Sequence, residues 1–311
     1  MQAEINHVVA ASTAISVAYK QGVFIAERIF PRCPTDNLRD VFVRYSKQSF
    51  RSLAQAMGPG AFPRTFTLDM EPYGYFDCKG WAIAVELPDA VRNHSDNKAE
   101  LDLIHQDTAL GIIALGKELQ AQSLISTTTI PNNSTLAGAS KWSDYVNSDP
   151  ITAIRLQVRT IQQAVPGASR KQMKLLLGPY VFDTLVRHPG VREDIKYVTN
   201  LLNAPVDEAN LAAACGIEEV IVPENIQLTS AEGQQDALSF TWGNIALLFF
   251  STGAPSRMTP NFGYTFWSTL DSYPIKRVRN EMNDADYFKS QEYRDMILVE
   301  PNAGFLWNTP I

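Results

Sequence analysis

Apolar residues recur at Leu101, Ile104, Leu110, Ile113, Ala114, Leu119 and Leu124, the spacing of one long helix. Asn97, with Glu100 three residues on, reads as a capping-box-like start, and Asp96 is an alternative cap. The pattern predicts a helix over 97–124, about 42 Å long at 1.5 Å per residue. That is well beyond the usual helix, so the segment is expected to serve as a spine. A second stripe, Ile151, Ile154, Val158, Ile161 and Val165, keeps a 3-4-3-4 spacing. Before it stands "WSDYVNSDPI" (142–151). Pro150 suits the first helical position, and Asp149 just before it suits the cap. Pro166 and Gly167 end the stripe.

Other stretches read as strands. "VFVRY" (41–45) has strand composition, and "RTFTLDMEPYGYFDCKGWAIAVEL" (64–87) alternates. Between them "AMGPGAFPR" (56–64) is a Gly/Pro-rich loop. Residues 46–85 thus read as a long two-stranded hairpin whose edges need cover, which a neighbouring subunit could supply. The first thirty-odd residues are weakly patterned and read as an extended arm ending at "FPRCP". "MKLLLG" reads as a buried strand, "PYVFDTLVRHPGV" as a helix opened by proline, and "VDEANLAAACG" as a helix capped by Asp207 and closed by Gly216. With "IEEVIVPEN" and "LSFTWGNIALLFF" these indicate a mixed α+β domain over about 150–260. The strand-rich C-terminal part is expected to return to the first domain.

Composition adds two constraints. The hydrophobic fraction of 45% is that of an ordinary globular protein, and the longest apolar run, near 107–117, is too short to cross a bilayer. The start lacks a secretory pattern, so a soluble protein is expected. The net charge of −6 is uneven: residues 1–64 carry eight Lys/Arg against four Asp/Glu, and the rest nineteen against twenty-nine. One end is therefore suited to an acidic partner surface, nucleic acid or other copies of the chain. The absence of a dense basic run argues against sequence-specific DNA binding.

Chemistry finds little support. "GIIALGKE" (111–118) has phosphate-loop spacing, but Glu118 stands where Ser/Thr would hold magnesium, and the stretch falls inside the long helix. Cys33, Cys78 and Cys215 are far apart and form no zinc or disulfide pattern. His7, His94, His105 and His188 are not spaced as metal ligands, and His188 before Pro189 reads as a cap. Asp144 and Asp149 suggest a catalytic pair only until helix capping accounts for Asp149. No catalytic residue, metal or cofactor is expected.

In order and spacing, "FPRCPTDNLRDVFVRYSKQSFRS", "GPGAFPR", "DNKAELDLIHQDTALGIIALGKELQAQSLIS", "KWSDYVNSDPITAIRLQV", "KLLLGPYVFDTLVRHPGVREDIKY", "WGNIALLFF", "PNFGYTFW" and "AGFLW" resemble the major capsid proteins of tailed bacteriophages with the Hong Kong 97-type fold. The likeness spans nearly the whole chain. It implies an N-terminal arm and junction (1–45), an extended E-loop hairpin (46–85), a peripheral domain (86–140 and 262–311) and an axial domain (141–261). It implies a virion shell of hexamers and pentamers assembled in the host cytoplasm around double-stranded DNA. Portal, scaffolding and decoration proteins would be partners, with non-specific contact to packaged DNA and no membrane. Arg44, Arg51, Gly58, Pro59, Phe62 and Arg64 become candidate inter-subunit contacts, and Trp142, Asp144, Asp149 and Pro150 the domain junction and helix cap. Relatives that cross-link join a hairpin lysine to a neighbour's asparagine. Here Lys47 and Lys79 lie near the hairpin base, so no such cross-link is expected. No helical charged segment precedes the arm, so scaffolding is expected as a separate protein. An encapsulin-like compartment shell and an unrelated soluble enzyme are the alternatives.

Overall fold

The computed structural model describes residues 22–45, 47–52, 54, 56–95, 97–199, 205–255, 261–270 and 272–311. In chain order, the first half holds α1 (Ala26–Ile29), β1 (Arg32–Thr35), β2 (Arg39–Tyr45), β3 (Met70–Asp77), β4 (Lys79–Pro88), α2 (Asp89–Asn93), α3 (Lys98–Leu124) and β5 (Asn133–Thr135). The middle holds α4 (Pro150–Ala164), β6 (Met173–Leu177), α5 (Pro179–Arg187), α6 (Pro189–Thr199), α7 (Glu208–Cys215) and β7 (Glu219–Ile221). The remainder is β8 (Ile226–Leu228), β9 (Leu238–Phe240), β10 (Ile245–Phe250), β11 (Gly263–Ser268), β12 (Tyr273–Asn280), β13 (Ala285–Leu298) and β14 (Gly304–Asn308).

Two five-stranded sheets organise these elements. In the first, the long strand β13 pairs antiparallel with β4, β12 and β11, and β1 adds to β11 in parallel. The spine helix α3 packs on β4 and β13. The second sheet runs β5-β14-β10-β6-β7. Its central strands read as unbroken apolar runs, Leu175–Leu177 and Ala246–Phe250. Every one of these residues is fully buried, as expected of strands covered on both faces. The stripe Ile151, Ile154, Val158, Ile161 and Val165 lies in the same core, so the helix forms where its period predicted.

Several expectations change. The hairpin is not two strands within 46–85: its ladder joins β2 to β3, Arg39 opposite Asp77 through Tyr45 opposite Met70. Most of 46–69 is a connecting loop with one short 3-10 turn at Lys47–Phe50. Residues 79–88 leave the hairpin and pair with β13 from Lys79/Arg294 to Pro88/Ala285, a pairing no local pattern encodes. The last strand, β14, joins the second sheet beside β10 and not the first. "PYVFDTLVRHPGV" forms two helices, broken where Pro189 restarts the chain after His188.

The early segment is not wholly an extended arm. Residues 1–21 lie outside the described residues, but Ile25, Ala26, Ile29 and Phe30 are core residues. The spine helix also differs from its expected stripe. Its buried positions are Ala109, Ile113, Lys117, Glu118 and Ala121, while Leu110 and Ile112 are exposed. Asn97 caps it as expected, accepting from the Glu100 amide; Asp96 lies outside the described residues.

Candidate assembly surface and domain junction

Lys117 and Glu118, the end of the apparent phosphate loop, sit inside α3, where backbone amides already have partners. Their side chains hold the early segment down. Glu118 is fully buried. It accepts from the Ile25 amide at 3.1 Å, the Ala26 amide at 2.9 Å and Trp242 Nε1 at 2.6 Å. Burial pushes its carboxyl up from the ordinary value, and these donors pull it back. Lys117 Nζ reaches Glu27 at 3.0 Å and Glu292 at 2.8 Å. Burial by itself would raise the Glu27 carboxyl, but the Arg32 and Lys117 cations bring it below its ordinary value. Adjacent residues of one helix thus bind both sides of the 25–27 segment.

The segment "WSDYVNSDPI" is a folded corner. Trp142, 2% exposed, donates its amide to the Pro310 carbonyl at 2.7 Å and packs on Trp307. Asp144 accepts from the amides of Val146 and Asn147, both at 3.1 Å, and from Asn147 Nδ2 at 2.9 Å. The Asn147 side chain, with those amides, holds its carboxyl below the usual range. Asp149 accepts from the Thr152 amide at 3.0 Å, and Pro150 is the first helical residue. The two aspartates therefore serve separate turns. Ser148 Oγ meets His188 Nε2 at 3.1 Å, while His188 Nδ1 accepts from the Gly190 amide at 3.1 Å. The expected cap role of His188 is real and opens α6. Among the described residues no group of three His, Cys, Asp or Glu could hold a metal, and no helix is long and apolar enough to cross a membrane.

The hairpin is the other feature. At its base Phe76 stacks on Phe266 with ring centroids 4.3 Å apart, and Phe42 stacks on the same ring at 5.9 Å. Asp77 donates its amide to Asp295 at 2.9 Å, and Cys78 donates its amide to the Leu38 carbonyl at 2.8 Å. Beyond this base the surface is apolar and uncovered: Val41, Val43, Phe50, Met57, Met70 and Tyr75 are all more than half exposed, and Phe62 is 97% exposed. Arg51, Gly58, Pro59, Phe62 and Arg64 all lie exposed on the connecting loop. That loop turns where Ala61 donates to the Gly58 carbonyl and Gly60 takes φ +81°. Arg44 lies on β2, and its side chain is outside the described residues. Lys47 donates to the Ala164 carbonyl at 2.8 Å, back on the body. An isolated soluble chain rarely carries so much exposed apolar side chain on one projection.

No protein-family model and no curated protein sequence matches the chain. Solved structures do. A phage-related protein from Bordetella bronchiseptica RB50 is similar over 94% of each chain, with TM-score 0.72 at 18% identity. The capsid of cyanophage P-SCSP1u is similar over 94% of this chain and 90% of that one, with TM-score 0.60 at 10% identity. The chain has the Hong Kong 97-type fold. The mature capsid of bacteriophage PhiM1 is similar in the same way, with TM-score 0.57 at 11% identity over 94% of this chain and 89% of that one. In this Hong Kong 97-type chain, sequence reasoning found the Asp149–Pro150 helix start and the Gly/Pro-rich loop but missed Glu118, Lys117 and the Phe76–Phe266 base. The signal for Glu118 was faint: an acid beside Lys117 at the end of the apolar run of the helix.

Proposed function

We propose that this chain is the major capsid protein of a tailed bacteriophage, a structural protein and not an enzyme. It assembles as hexamers and pentamers into an icosahedral head around double-stranded DNA. The fold over 94% of the chain supports this reading, but a single observation carries it. The β2–β3 hairpin projects an apolar surface that none of the described residues covers. A neighbouring copy would bury it. In this reading the β2–β3 hairpin with its connecting loop contributes the E-loop, the sheet around β13 with α3 the peripheral domain, and the sheet β5-β14-β10-β6-β7 with its helices the axial domain. Arg44, Arg51, Gly58, Pro59, Phe62 and Arg64 contact neighbours, and Trp142, Asp144, Asp149 and Pro150 form the crossing into the axial domain. Portal, scaffolding and decoration proteins are the proposed partners, the packaged DNA is held without sequence preference, and the site of assembly is the host cytoplasm.

Electron microscopy of the purified protein tests this. Polyhedral particles containing DNA when isolated from infected cells support it. Particles filled with enzyme cargo would move the assignment to a compartment shell, and a monodisperse monomer under all assembly conditions would overturn both. Deleting 56–64 is expected to leave a folded subunit that does not assemble, and normal shells from that deletion would refute the hairpin's role.

A further inference from the structure

Residues 62–68 carry a strand pattern without a strand. Phe62, Arg64, Phe66 and Leu68 alternate with Pro63, Thr65 and Thr67, a period of two. Phe66 and Leu68 are 44% and 46% exposed, and the segment has no strand partner among the described residues. The loop is also basic. Between residues 46 and 68 stand Lys47, Arg51 and Arg64, and no acid.

The second sheet offers the complementary feature. Strand β7 ends that sheet, and among the described strands it pairs with β6 alone, along one edge. A groove of about 710 Å³ runs between α7, β7 and the 23–28 segment. Its floor is apolar, with Ala212, Ile217 and Val220, and its rim carries Glu208, Glu218 and Glu224. These three glutamates have no ion-pair partner among the described residues, whereas Glu219 is paired with Arg28 and Lys174. The open edge of β12, "YPIKRVRN", fits a basic loop less well, because it is itself basic.

We propose that Phe62–Leu68 of one copy adds as a strand to the open edge of β7 in a second copy. The main chain would supply the ladder, Phe62, Phe66 and Leu68 the apolar contact, and Arg64 an ion pair with the glutamate rim. This rests on the shell reading above and names the surface that receives the hairpin loop.

Disulfide trapping tests it. Phe66→Cys is combined in turn with Glu218→Cys, Val222→Cys and Glu224→Cys, and purified particles are oxidised. At least one pairing is expected to give a ladder of covalent multimers on non-reducing denaturing gels, while each single variant runs as monomer. Intact particles with no ladder from any pairing overturn this inference and leave the shell reading standing. Wild-type protein that forms no particles overturns the shell reading itself. If the cysteine pairs block assembly, a charge exchange decides: Glu224→Arg is expected to lower particle yield at least tenfold, and adding Arg64→Glu to restore it. A double variant no better than the single one overturns the pairing.

Discussion

Trp242 Nε1 donates to Glu118 Oε1 at 2.6 Å, and the other Glu118 oxygen accepts from Ala26, so one carboxylate joins the spine helix, the early segment and the turn that leads into β10. Both oxygens face donors, so the site is built for an acceptor. Removing that acceptor strands buried N–H groups, each costing about 1–3 kcal/mol. Glu118→Ala is expected to destabilise the subunit by about 3 kcal/mol. Glu118→Gln should cost nearly as much, because its amide nitrogen must face one of the donors. Chemical denaturation of the purified subunit checks both, and a glutamine variant as stable as wild type would contradict the donor arrangement.

His188 gives a pH prediction. Its Nδ1 accepts from Gly190, so Nε2 carries the proton and donates to Ser148. Burial holds the folded imidazole below its ordinary value of 6.5. In the window between the folded value and 6.5 the unfolded chain binds more protons than the folded one. The stability is therefore fully present above pH 6.5 and is lost as pH falls through that window. Protonation also removes the acceptor that caps α6. His188→Asn keeps a cap oxygen without a titrating group. Its melting temperature is expected to change less than that of wild type between pH 7.5 and 5.5.

Gly178 closes the corner between β6 and α5. A Cβ there would lie 1.8 Å from the Gly243 carbonyl oxygen and 2.4 Å from that of Trp242. These are backbone atoms and cannot swing away as a side chain could. Gly178→Ala is expected to cost about 3 kcal/mol or more, seen as a lowered denaturation midpoint or as insoluble protein. A variant within about 0.5 kcal/mol of wild type would mean the corner yields freely.

Features coded within one turn of chain were legible in the sequence. Asn97, Asp149 and Asp207 cap their helices, and Gly216 ends α7 with φ +72°. Each depends on neighbours two to four residues away. What was not legible depends on distant partners. Nothing near Lys79–Pro88 says that it pairs with Ala285–Arg294, and nothing near Ile25 says that four residues of 25–30 enter the core. The spine helix misled for a related reason: its buried face includes Lys117 and Glu118, whose partners come from residues 25–27, 242 and 292. The alternation from Arg64 to Leu68 was legible as strand and pairs with no strand among the described residues. A local signal that its own fold leaves unused points to a partner outside it.

The hairpin's hold on the body yields the last prediction. Phe76 and Phe266 stack within 8° of parallel, in a small cluster with Cys78 and Tyr264 that is separate from the main core. Beside it Arg39 pairs with Asp77 at 2.7 Å, but that pair is exposed and adds little. The aromatic stack is thus the principal fastening of a projection whose far surface no described residue covers. Phe76→Ala removes a buried ring from a cluster too small to close over the gap, a loss of about 3 kcal/mol. The main core shares none of these residues, so the damage should stay local. Hydrogen exchange is expected to quicken in 39–45 and 70–77 while Leu175–Leu177 and Ala246–Phe250 stay protected. In the proposed shell, assembly should slow as well, since a hairpin that swings at its base would have to be ordered again on meeting a neighbour. Uniformly faster exchange across both sheets would show instead that the hairpin base and the main core unfold as one unit.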